Sequence, residues 1–522
     1  MTSLPPRGRE VNPWIVAVAV MFGTFMEVLD TTVVNVSLPH IAGSLSATID
    51  ESTWALTSYL VANAIVLPLT GWLANQFGRK RLLMLSVGGF TVSSFLCGLA
   101  PNLSLLIAFR LVQGLTGGAL QPISQAVLLE AFPPEQRGRA MGFWGLGIVV
   151  APILGPVLGG WLTDSYSWRW VFYINIPVGV ASLVMAQLFI FDPPYIGRRA
   201  TRIDYQGMGL LAVGIGALQI LLDKGQEEDW FASSAMTVLV AVAVAALVAF
   251  LVHELRVQQP VVNLRVFRVS TYSAGVFLMT VMGFVLYGSL VLLPIFLQTL
   301  LGYPSLQAGL AMAPRGMGAF LAMPAVGMLL GRVPARRMLA MGLVTGSFTL
   351  FWLGSLNLSA GYWDIFWPQF LQGISLGMLF VPLTTITMDP IPKESMGNAT
   401  SMFNLMRNIG GSMGIAAATT LLFRRQQAHL NVLGAHVDPF SPQARALLEQ
   451  LRAGFLARGS DFATATDQAR VAAFGLVQRQ AAMLSFTDVF RLLALLFLAL
   501  LPLLLVMKSP RAGRSAAAAG TH

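Results

Sequence analysis

The chain has 522 residues, of which 55% are hydrophobic and only 11% charged, and its mean hydropathy is +0.69. So few charges cannot enclose so much apolar surface, which excludes a soluble globular protein and predicts a polytopic membrane protein. One cysteine, Cys97, and five histidines without ligand spacing predict neither a disulfide framework nor a metal site. Because the sequence also lacks a phosphate-binding loop, a dinucleotide turn and a nucleophile motif, we expect neither an enzyme nor a cofactor.

Apolar runs that meet the need of a membrane helix for about 20 residues recur along the whole chain. Breaks rich in glycine, proline and charge separate them, so we predict an all-α protein with fourteen transmembrane spans. The first run holds Glu27 and Asp30 and lacks a small-residue cleavage site, so it is predicted to be span 1 and not a removed signal peptide. The spans begin near Trp14, Thr53, Leu82, Ser104, Ala140, Trp168, Tyr205, Phe231, Tyr272, Ser305, Met338, Asp364, Ala399 and Phe486.

Lysine and arginine are distributed unevenly between the two sides that these spans define. If the N-terminus lies inside, the short outer loops hold only Lys224. Because basic residues are retained on the cytoplasmic side during insertion, both termini are predicted to be cytoplasmic. The net charge of +10 therefore reflects topology and not nucleic-acid binding. The inner basic clusters lie at 7–9, 79–81, 137–139, 198–202, 256–268, 332–337 and 508–514, with Lys393 between the last two.

The spans show an internal duplication. Span 4 contains Gln113-Gly114 where span 12 contains Gln372-Gly373, so spans 1 to 6 match spans 9 to 14. Transporters are commonly built from such duplicated bundles, with a site at their interface. We therefore predict three parts: an N-terminal six-helix bundle at 1–197, an inserted helix pair with its linkers at 198–268, and a C-terminal six-helix bundle at 269–522 that includes an outer, periplasmic segment at 424–485.

Four stretches of the sequence carry a resemblance to a known family. They read LDTTVVNVSLP at 29–39, GWLANQFGRKR at 71–81, RLVQG at 110–114 and APILGPVLGG at 151–160. Together they resemble the major facilitator superfamily, and within it the fourteen-span drug:proton antiporters of the Emr and Qac type. The resemblance implies the major facilitator fold and export of hydrophobic drugs through a bacterial inner membrane. It also implies alternating access powered by the proton-motive force.

Two carboxylates lie three residues apart in span 1, so Glu27 and Asp30 project from one helix face. A carboxylate at mid-membrane costs about 2.5 to 3.5 kcal/mol on insertion scales, so each needs polar surroundings or a proton. We predict Asp30 as the proton carrier with Glu27 beside it, and the alternative for either is a permanent structural pair. Arg110 keeps its proton and must therefore be paired. We predict that it modulates the pKa of a carboxylate. Further candidates for the substrate cavity or for coupling are Arg407, Arg315, Gln113 and Asn35.

Two of the motifs predict a hinge and a close helix contact. The loop after span 2 resembles a cytoplasmic gate, although its basic residues could also serve only to anchor the topology, and Asn75 stands where the superfamily usually has an Asp. Small residues recur every four positions in span 5, which lets helix backbones approach closely. Generic packing would explain this stripe, and the resemblance adds that it marks proton-exchanging exporters. The gate residues are Gly71, Asn75, Gly78, Arg79 and Lys80, and the span 5 residues are Gly147, Ala151, Pro152, Gly155, Pro156, Gly159 and Gly160.

Substrates and partners follow from the same interpretation. We expect hydrophobic small molecules of either charge, protons and lipid as ligands. In the outer segment, Ser441-Pro442 predicts a helix start, and 471–483 is a second amphipathic stretch. These helices either cap the cavity, lie on the membrane or dock a partner, which in Emr relatives is a periplasmic adaptor of the membrane-fusion class joined to an outer-membrane channel. The alternatives are an exporter of a dedicated metabolite, siderophore or lipid, and a non-transporting receptor or scaffold.

Overall fold

A computed structural model describes residues 12–192, 204–258, 260–330, 332–437, 441–505 and 507. Within these ranges the chain is all-helical and contains no strand. The predicted basic clusters at 7–9, 198–202 and 508–514 lie outside the described residues, and so does the predicted domain boundary at 197.

Nine α-helices lie within residues 12–192, the described part of the chain before the inserted pair. Several of these helices have a side-chain cap at the N-terminus. Thr48 and Glu51 form a capping box, and the Asn102 side chain accepts a hydrogen bond from Leu105 N at 2.9 Å. Short breaks divide spans 2, 4 and 6 into two helices each. The bounds are α1 Pro13–Ser44, α2 Ile49–Val66, α3 Thr70–Phe77, α4 Arg79–Leu99, α5 Leu103–Gly117, α6 Leu120–Ala131, α7 Arg137–Ser165, α8 Trp170–Tyr173 and α9 Asn175–Phe189.

The inserted pair and the second half follow. A π-helical turn at Phe296–Leu300 extends the first helix of that half, and a 3-10 segment at Leu501–Leu505 extends the last. The bounds are α10 Tyr205–Lys224, α11 Ser234–Arg256, α12 Ser270–Ile295, α13 Ser305–Leu329, α14 Ala335–Leu353, α15 Tyr362–Met388, α16 Met396–Ala435, α17 Pro442–Leu456 and α18 Phe462–Ala499.

Each of the fourteen predicted spans coincides with a helix, but they are not equally apolar. Ten helical segments of the described chain are long and apolar enough to cross a membrane, and eleven if the bent helix α7 is counted as one span. Helices α13, α14 and α16 lie at predicted spans 10, 11 and 13 and do not meet this criterion. The structure therefore supports ten or eleven apolar spans, and the number fourteen stays a prediction.

The duplication that the sequence predicts is visible in helix packing. Gly114 of α5 lies directly against the carbonyl of Tyr59 on α2, and Gly373 of α15 lies directly against the carbonyl of Arg315 on α13. In both cases a side chain would collide with backbone, so glycine is required for two helices to approach closely at equivalent places. The two halves therefore repeat one packing arrangement.

The two halves touch mainly at one end, which we call the basic end and define by Gly78 and the loops 132–136, 332–334 and 389–395. There, Gly142 of α7 packs against the carbonyl of Met323 on α13, and α16 packs on α3 and α6. These contacts close the basic end.

The inserted pair fills the seam between α2 and α16. Lys224 of α10 donates to Thr53 at 2.5 Å, and Asp223 accepts from Thr57, which fastens α10 to α2. On the other side of the seam, Gln219 donates to Ser412 of α16 at 2.9 Å. A hydrophobic cluster seals the same seam, composed of Ala64, Leu67, Leu69, Leu211, Ile215, Phe250, Val261, Val262, Met402 and Leu405. The pair thus contacts both halves.

The described residues of the outer segment, 424–437 and 441–485, are mainly helical. The predicted helix start is present, because the Ser441 side chain accepts a hydrogen bond from Ala444 N at the beginning of α17. The stretch predicted as a second amphipathic helix is the first part of α18, continuous with span 14. Its cap is Asp461, and hydrogen bonds from Thr464 lower the pKa of this exposed carboxyl below its usual value. Helices α16 and α18, with 40 and 38 residues, are each longer than the about 20 residues that a membrane helix needs.

Candidate functional site

A buried ionic cluster surrounds Asp30 in the first half. The Asp30 carboxylate accepts hydrogen bonds from Arg110 at 2.5 Å, Gln113 at 3.1 Å and Asn175 at 2.7 Å. All four side chains are completely buried. Arg110 also donates to Gln113 at 2.8 Å and to the Ala55 carbonyl at 2.9 Å. The cluster therefore keeps a carboxylate and a guanidinium together with little net charge in the low-dielectric interior.

Two features of this cluster were missed from the sequence. Asn175, on α9, also donates to Ser94 of α4 at 3.0 Å, so it joins three helices at one point. The Arg110 guanidinium lies 4.3 Å from the centre of the Tyr59 ring, which provides a further favourable electrostatic contact. The sequence does contain an indication of this role for Asn175. It is an amide inside an apolar run, and polar side chains at that depth of a membrane usually have a partner.

Glu27 lies one helical turn from Asp30 in a different environment. It is buried, and its Oε1 accepts a hydrogen bond from Asn63 of α2 at 2.9 Å. Its Oε2 has no hydrogen-bond partner among the described residues. Gln121 and Arg407 are its next polar neighbours. Glu27 is therefore the less completely paired carboxylate of span 1.

A polar seam joins α6 of the first half to α16 of the second half. Arg407 donates to Gln121, Asn404 donates to Gln125 at 2.6 Å, and Thr400 donates to the Pro122 carbonyl at 3.1 Å. This seam passes directly beside Glu27, so a change at Glu27 can be transmitted to the contact between the halves.

Residues of both halves line a cavity of about 170 Å³. Its wall is predominantly apolar, with Tyr287, Arg315 and Arg407 as its largest polar side chains. Of the further candidates, Arg315 and Arg407 line this cavity and Gln113 belongs to the Asp30 cluster. Asn35 is exposed on α1 and belongs to neither. The apolar wall residues are Ile148, Val149, Pro152, Met282, Leu286, Leu290, Met312, Ala313, Met323, Leu376 and Phe380.

The span 5 motif lies on α7 and packs on α1. A Cβ at Gly155 would overlap the Thr32 side chain, and one at Gly159 would lie 2.9 Å from the Val33 carbonyl. Gly147 packs against Met21 in the same way, while a Cβ at Gly160 would meet nothing within 4 Å. Ala151 is buried, Pro152 lines the cavity, and the side chain of Pro156 lies outside the described part of the chain. The motif therefore places the carboxylate-bearing helix close to the cavity wall.

The predicted gate residues lie at the closed, basic end. Gly71 touches α16, where a Cβ would lie 2.6 Å from the Asn398 Cα, and Gly78 has φ +86, a backbone conformation that favours glycine. Arg79 is buried, pairs with Glu130 at the end of α6, and donates to the Lys393 carbonyl of the second half at 3.4 Å.

Lys80 and Asn75 behave differently in this loop. Lys80 N donates to the Asp192 carboxylate at 2.8 Å, and its Nζ donates to the Gln187 carbonyl at 2.6 Å. Asn75 is exposed and lies outside these contacts. Asp192 was not singled out from the sequence. It supplies a carboxylate to the loop from the end of span 6, whereas the superfamily usually carries one at position 75.

Two helical halves around a central cavity, with an ionic cluster buried in one of them, define a membrane transporter of the alternating-access class. Residues 20–415 match the Major Facilitator Superfamily, and the chain belongs to that family. The chain is 37% identical over 503 residues to the multidrug export protein EmrB of Haemophilus influenzae, covering 95% of this chain and 96% of the relative. It is 36% identical to the fatty acid resistance protein FarB of Neisseria gonorrhoeae, over 97% and 98% of the two chains. The fold resembles the human organic anion transporter MFSD10 (TETRAN), with a TM-score of 0.61 at 14% identity over 95% of this chain and 100% of that one.

Proposed function

We propose that this chain exports hydrophobic drugs and other toxic compounds in exchange for protons, as a multidrug efflux permease. The observation that carries the proposal is the position of two buried carboxylates on α1: Glu27 lies beside the polar seam between the halves, and Asp30 lies in the ionic cluster one helical turn away. Relatives that match almost the whole chain are named multidrug export proteins. Proton coupling rests on the family resemblance and on these carboxylates.

The arrangement of the halves suggests which state the structure represents. The basic end carries the loop lysines and arginines, so we place it, and both termini, in the cytoplasm of a bacterium with fourteen helices across the inner membrane. Contacts of Gly71 with Asn398 and of Arg79 with the Lys393 carbonyl then close the cytoplasmic side. The cavity opens outward, which is the state that releases a compound and receives a proton.

The two carboxylates have different parts in the proposed cycle. Asp30 is held by a guanidinium and two amides, so it can take a proton only if its pair with Arg110 loosens. Glu27 has one amide donor and one free oxygen, so it can take a proton without breaking an ion pair. We therefore assign the first proton to Glu27 and a conformation-dependent exchange to Asp30.

The proton-motive force is the proposed energy source, with no cofactor. The outer ends of α16 and α18, with α17 between them, are long enough to meet a periplasmic adaptor that joins the permease to an outer-membrane channel. A docked adaptor would prevent an exported hydrophobic compound from returning into the same bilayer.

The experiment is reconstitution of the purified protein into liposomes that contain a pH dye, followed by addition of a panel of lipophilic cations, neutral compounds and weak acids. We expect compound-triggered proton movement that Glu27→Gln and Asp30→Asn each reduce by at least about tenfold, the scale of losing one proton-transfer group. Asp467→Asn, at an exposed carboxylate of the outer segment, is the matched control and should leave proton movement unchanged. Proton movement that survives in both span 1 variants would contradict the coupling assignment, and silence across the panel would favour a receptor or scaffold.

A further inference from the structure

An open groove runs along the outer face of the inserted pair, between α10 and α11. Helix α11 packs mainly on α10, and it is the least buried of the apolar spans in the described chain. The floor of the groove consists of exposed alanine and valine residues of α11 that recur every three or four positions and so share one helix face. They are Ala241, Val244, Ala245, Val248, Ala249 and Val252.

Polar side chains line this groove at one end. Gln206, at the start of α10, and His253 and Arg256, at the end of α11, meet there. His253 is paired with the Asp204 carboxylate at 2.8 Å, and the neighbouring Glu254 is buried and accepts a hydrogen bond from Val262 N. Arg256 is exposed and makes no hydrogen bond or ion pair with any residue that the structure describes. The groove is therefore apolar along its length and ends in a free guanidinium and an amide.

The length of the groove corresponds to one leaflet of a bilayer. From Ala241 to Val252 the floor extends over eleven positions, or about 17 Å at 1.5 Å per residue. Half of a hydrocarbon core that is about 30 Å thick measures about 15 Å. Arg256 follows one turn after Val252, at the basic end of the molecule. Its guanidinium is therefore placed at the depth of the lipid headgroups, and the floor at the depth of their acyl chains.

The charge at the end of the groove distinguishes between two possible occupants. Ala241, Ala245 and Ala249 have the four-residue spacing that also lets membrane helices pack on each other. A second copy of the chain has the same orientation in the membrane, so a symmetric contact through this face brings two Arg256 side chains to the same depth. Like charges at an interface oppose association, whereas an anionic headgroup at that depth is complementary. The charge therefore favours a lipid.

We propose that this groove is a binding site for an anionic glycerophospholipid of the leaflet at the basic end. The lipid phosphate accepts hydrogen bonds from the Arg256 guanidinium and the Gln206 amide, and one acyl chain lies on the floor of alanine and valine. This site is separate from the cavity between the halves, and it does not depend on which compound the protein exports.

Quenching by spin-labelled lipid tests the proposal. A nitrobenzoxadiazole fluorophore would be attached to Leu251→Cys in the full-length protein, because Leu251 is exposed beside the groove and the native Cys97 is buried. The labelled protein would be placed in phosphatidylcholine nanodiscs that contain a small fraction of lipid with a nitroxide on its acyl chain, either phosphatidylglycerol or phosphatidylcholine. We expect the quenching to correspond to an enrichment of phosphatidylglycerol of about fivefold, the scale of one arginine near an anionic lipid surface.

Three variants of the labelled protein locate the site. Arg256→Gln should abolish most of the enrichment, because the phosphate loses its charged partner. Arg268→Gln is the matched control, at an exposed arginine just before α12 that does not line the groove, and should retain the enrichment. Ala245→Phe should reduce the enrichment although the charge is unchanged, because the ring occupies the place of the acyl chain. Unchanged quenching by phosphatidylcholine in the two arginine variants shows that they are folded.

Three results would overturn the proposal. The first is equal quenching by the two lipids in the labelled protein without further substitution. The second is an enrichment that survives either Arg256→Gln or Ala245→Phe, since the lipid would then be attracted by the general positive charge of the loops and not held in the groove. The third is quenching by neither lipid together with energy transfer between labelled copies, which would assign the groove to a second copy of the chain.

Discussion

At the scale of single residues, the two carboxylates of α1 differ in their partners. Neutralising one of them would leave a buried cation without a counter-charge, and neutralising the other would not. Asp30 neutralises Arg110, which is fully buried and cannot lose its proton. Glu27 neutralises no directly bonded cation among the described residues, and its main partner is the neutral Asn63. Breaking a buried ion pair by removing one partner is far more costly than removing a charge that has only an amide partner.

This difference predicts unequal effects on stability. Asp30→Asn should lower the free energy of unfolding by about 3 to 5 kcal/mol, because Arg110 is left without a counter-charge. Glu27→Gln should change it by less than about 1 kcal/mol, since the glutamine oxygen still accepts from Asn63. Thermal unfolding of the purified variants in one detergent would measure both. The pairing argument also requires Arg110→Gln to restore much of the stability lost in Asp30→Asn, so a double variant no better than the single one would contradict it.

Sequence reasoning identified the charged members of the site and missed most of its neutral ones. Asp30 and Arg110 are conspicuous because a charge inside an apolar run is rare and expensive. Asn175, Asn63 and Gln121 were overlooked, since an amide is tolerated at many places in a membrane helix. Their roles depend on which helices are neighbours, and no local pattern contains that information.

At the scale of helices, the glycines of α7 divide into those that face α1 and those that do not. Gly155 and Gly159 lie directly against Thr32 and Val33, two and three residues beyond Asp30. Gly160, the next residue, faces open space. The spacing of α1 from α7 is thus set by particular glycines and not by the small-residue content of the helix.

Substitutions at two nearby glycines of α7 can therefore distinguish the effect of a helix contact from the effect of small-residue content. Gly155→Ala should destabilise the protein by about 1 to 3 kcal/mol, the usual cost of overpacking, and should reduce transport, because α1 is displaced from the cavity wall. Gly160→Ala is the matched control, with the same change of residue five positions further along, and should be silent in both respects. Unfolding curves and compound-driven proton flux would be recorded for the two variants together. Equal damage from both would mean that helix flexibility, and not contact, is what the glycines provide.

The contact that closes the basic end offers a second test on helices. Gly71→Ala would place a Cβ 2.6 Å from the Asn398 Cα and should push α3 and α16 apart. We expect the population to shift toward the state that opens at the basic end. The rate at which a cysteine at Asn404 reacts with a water-soluble maleimide should then rise by about tenfold, which corresponds to about 1.4 kcal/mol of destabilised closure. Gly209→Ala in α10, where a Cβ meets nothing within 4 Å, should leave the rate unchanged.

Helix positions were well predicted, whereas their membrane character was harder to establish. Runs of apolar residues between charged breaks predicted a span at fourteen places, and a helix lies at each of them, because hydrophobicity is a local property. Helices α13 and α16 carry cavity residues, among them Arg315 and Arg407, and α14 begins with Arg336 and Arg337. These charged side chains lower the mean hydropathy of the three helices, so hydropathy alone does not identify them as spans.

At the scale of the whole molecule, the inserted helix pair connects the two halves. Their relative movement is therefore more restricted than that of two unconnected six-helix bundles. It is fastened to α2 through Lys224 and Thr53, and to α16 through Gln219 and Ser412. Its linker also reaches the closed end, where Asn263 and Asn398 exchange hydrogen bonds at 3.0 and 3.1 Å. Any change between states must therefore break or stretch one of these connections.

The charge of the exported compound decides how strongly the cycle responds to membrane potential. Exchange of one proton for one neutral compound moves one charge, whereas exchange for a monovalent anion moves two. Each charge is worth about 2.3 kcal/mol per 100 mV. The gradient of dansyl-labelled undecanoate in proteoliposomes with a clamped potential should therefore rise with voltage about twice as steeply, on a logarithmic scale, as that of its methyl ester. Identical slopes for the two probes would contradict anion-for-proton exchange.

Helix α16 is 40 residues long, about 60 Å at 1.5 Å per residue, which is about twice the thickness of the hydrocarbon core. It carries Arg407 at the cavity, and the part beyond that residue is about 42 Å long. That rod acts as a lever: a tilt of about 10° at the cavity would move its tip by about 7 Å, given this length. A fluorophore at Val432, which is exposed near the tip, would then report each turn of the cycle as a distance change far from the chemistry.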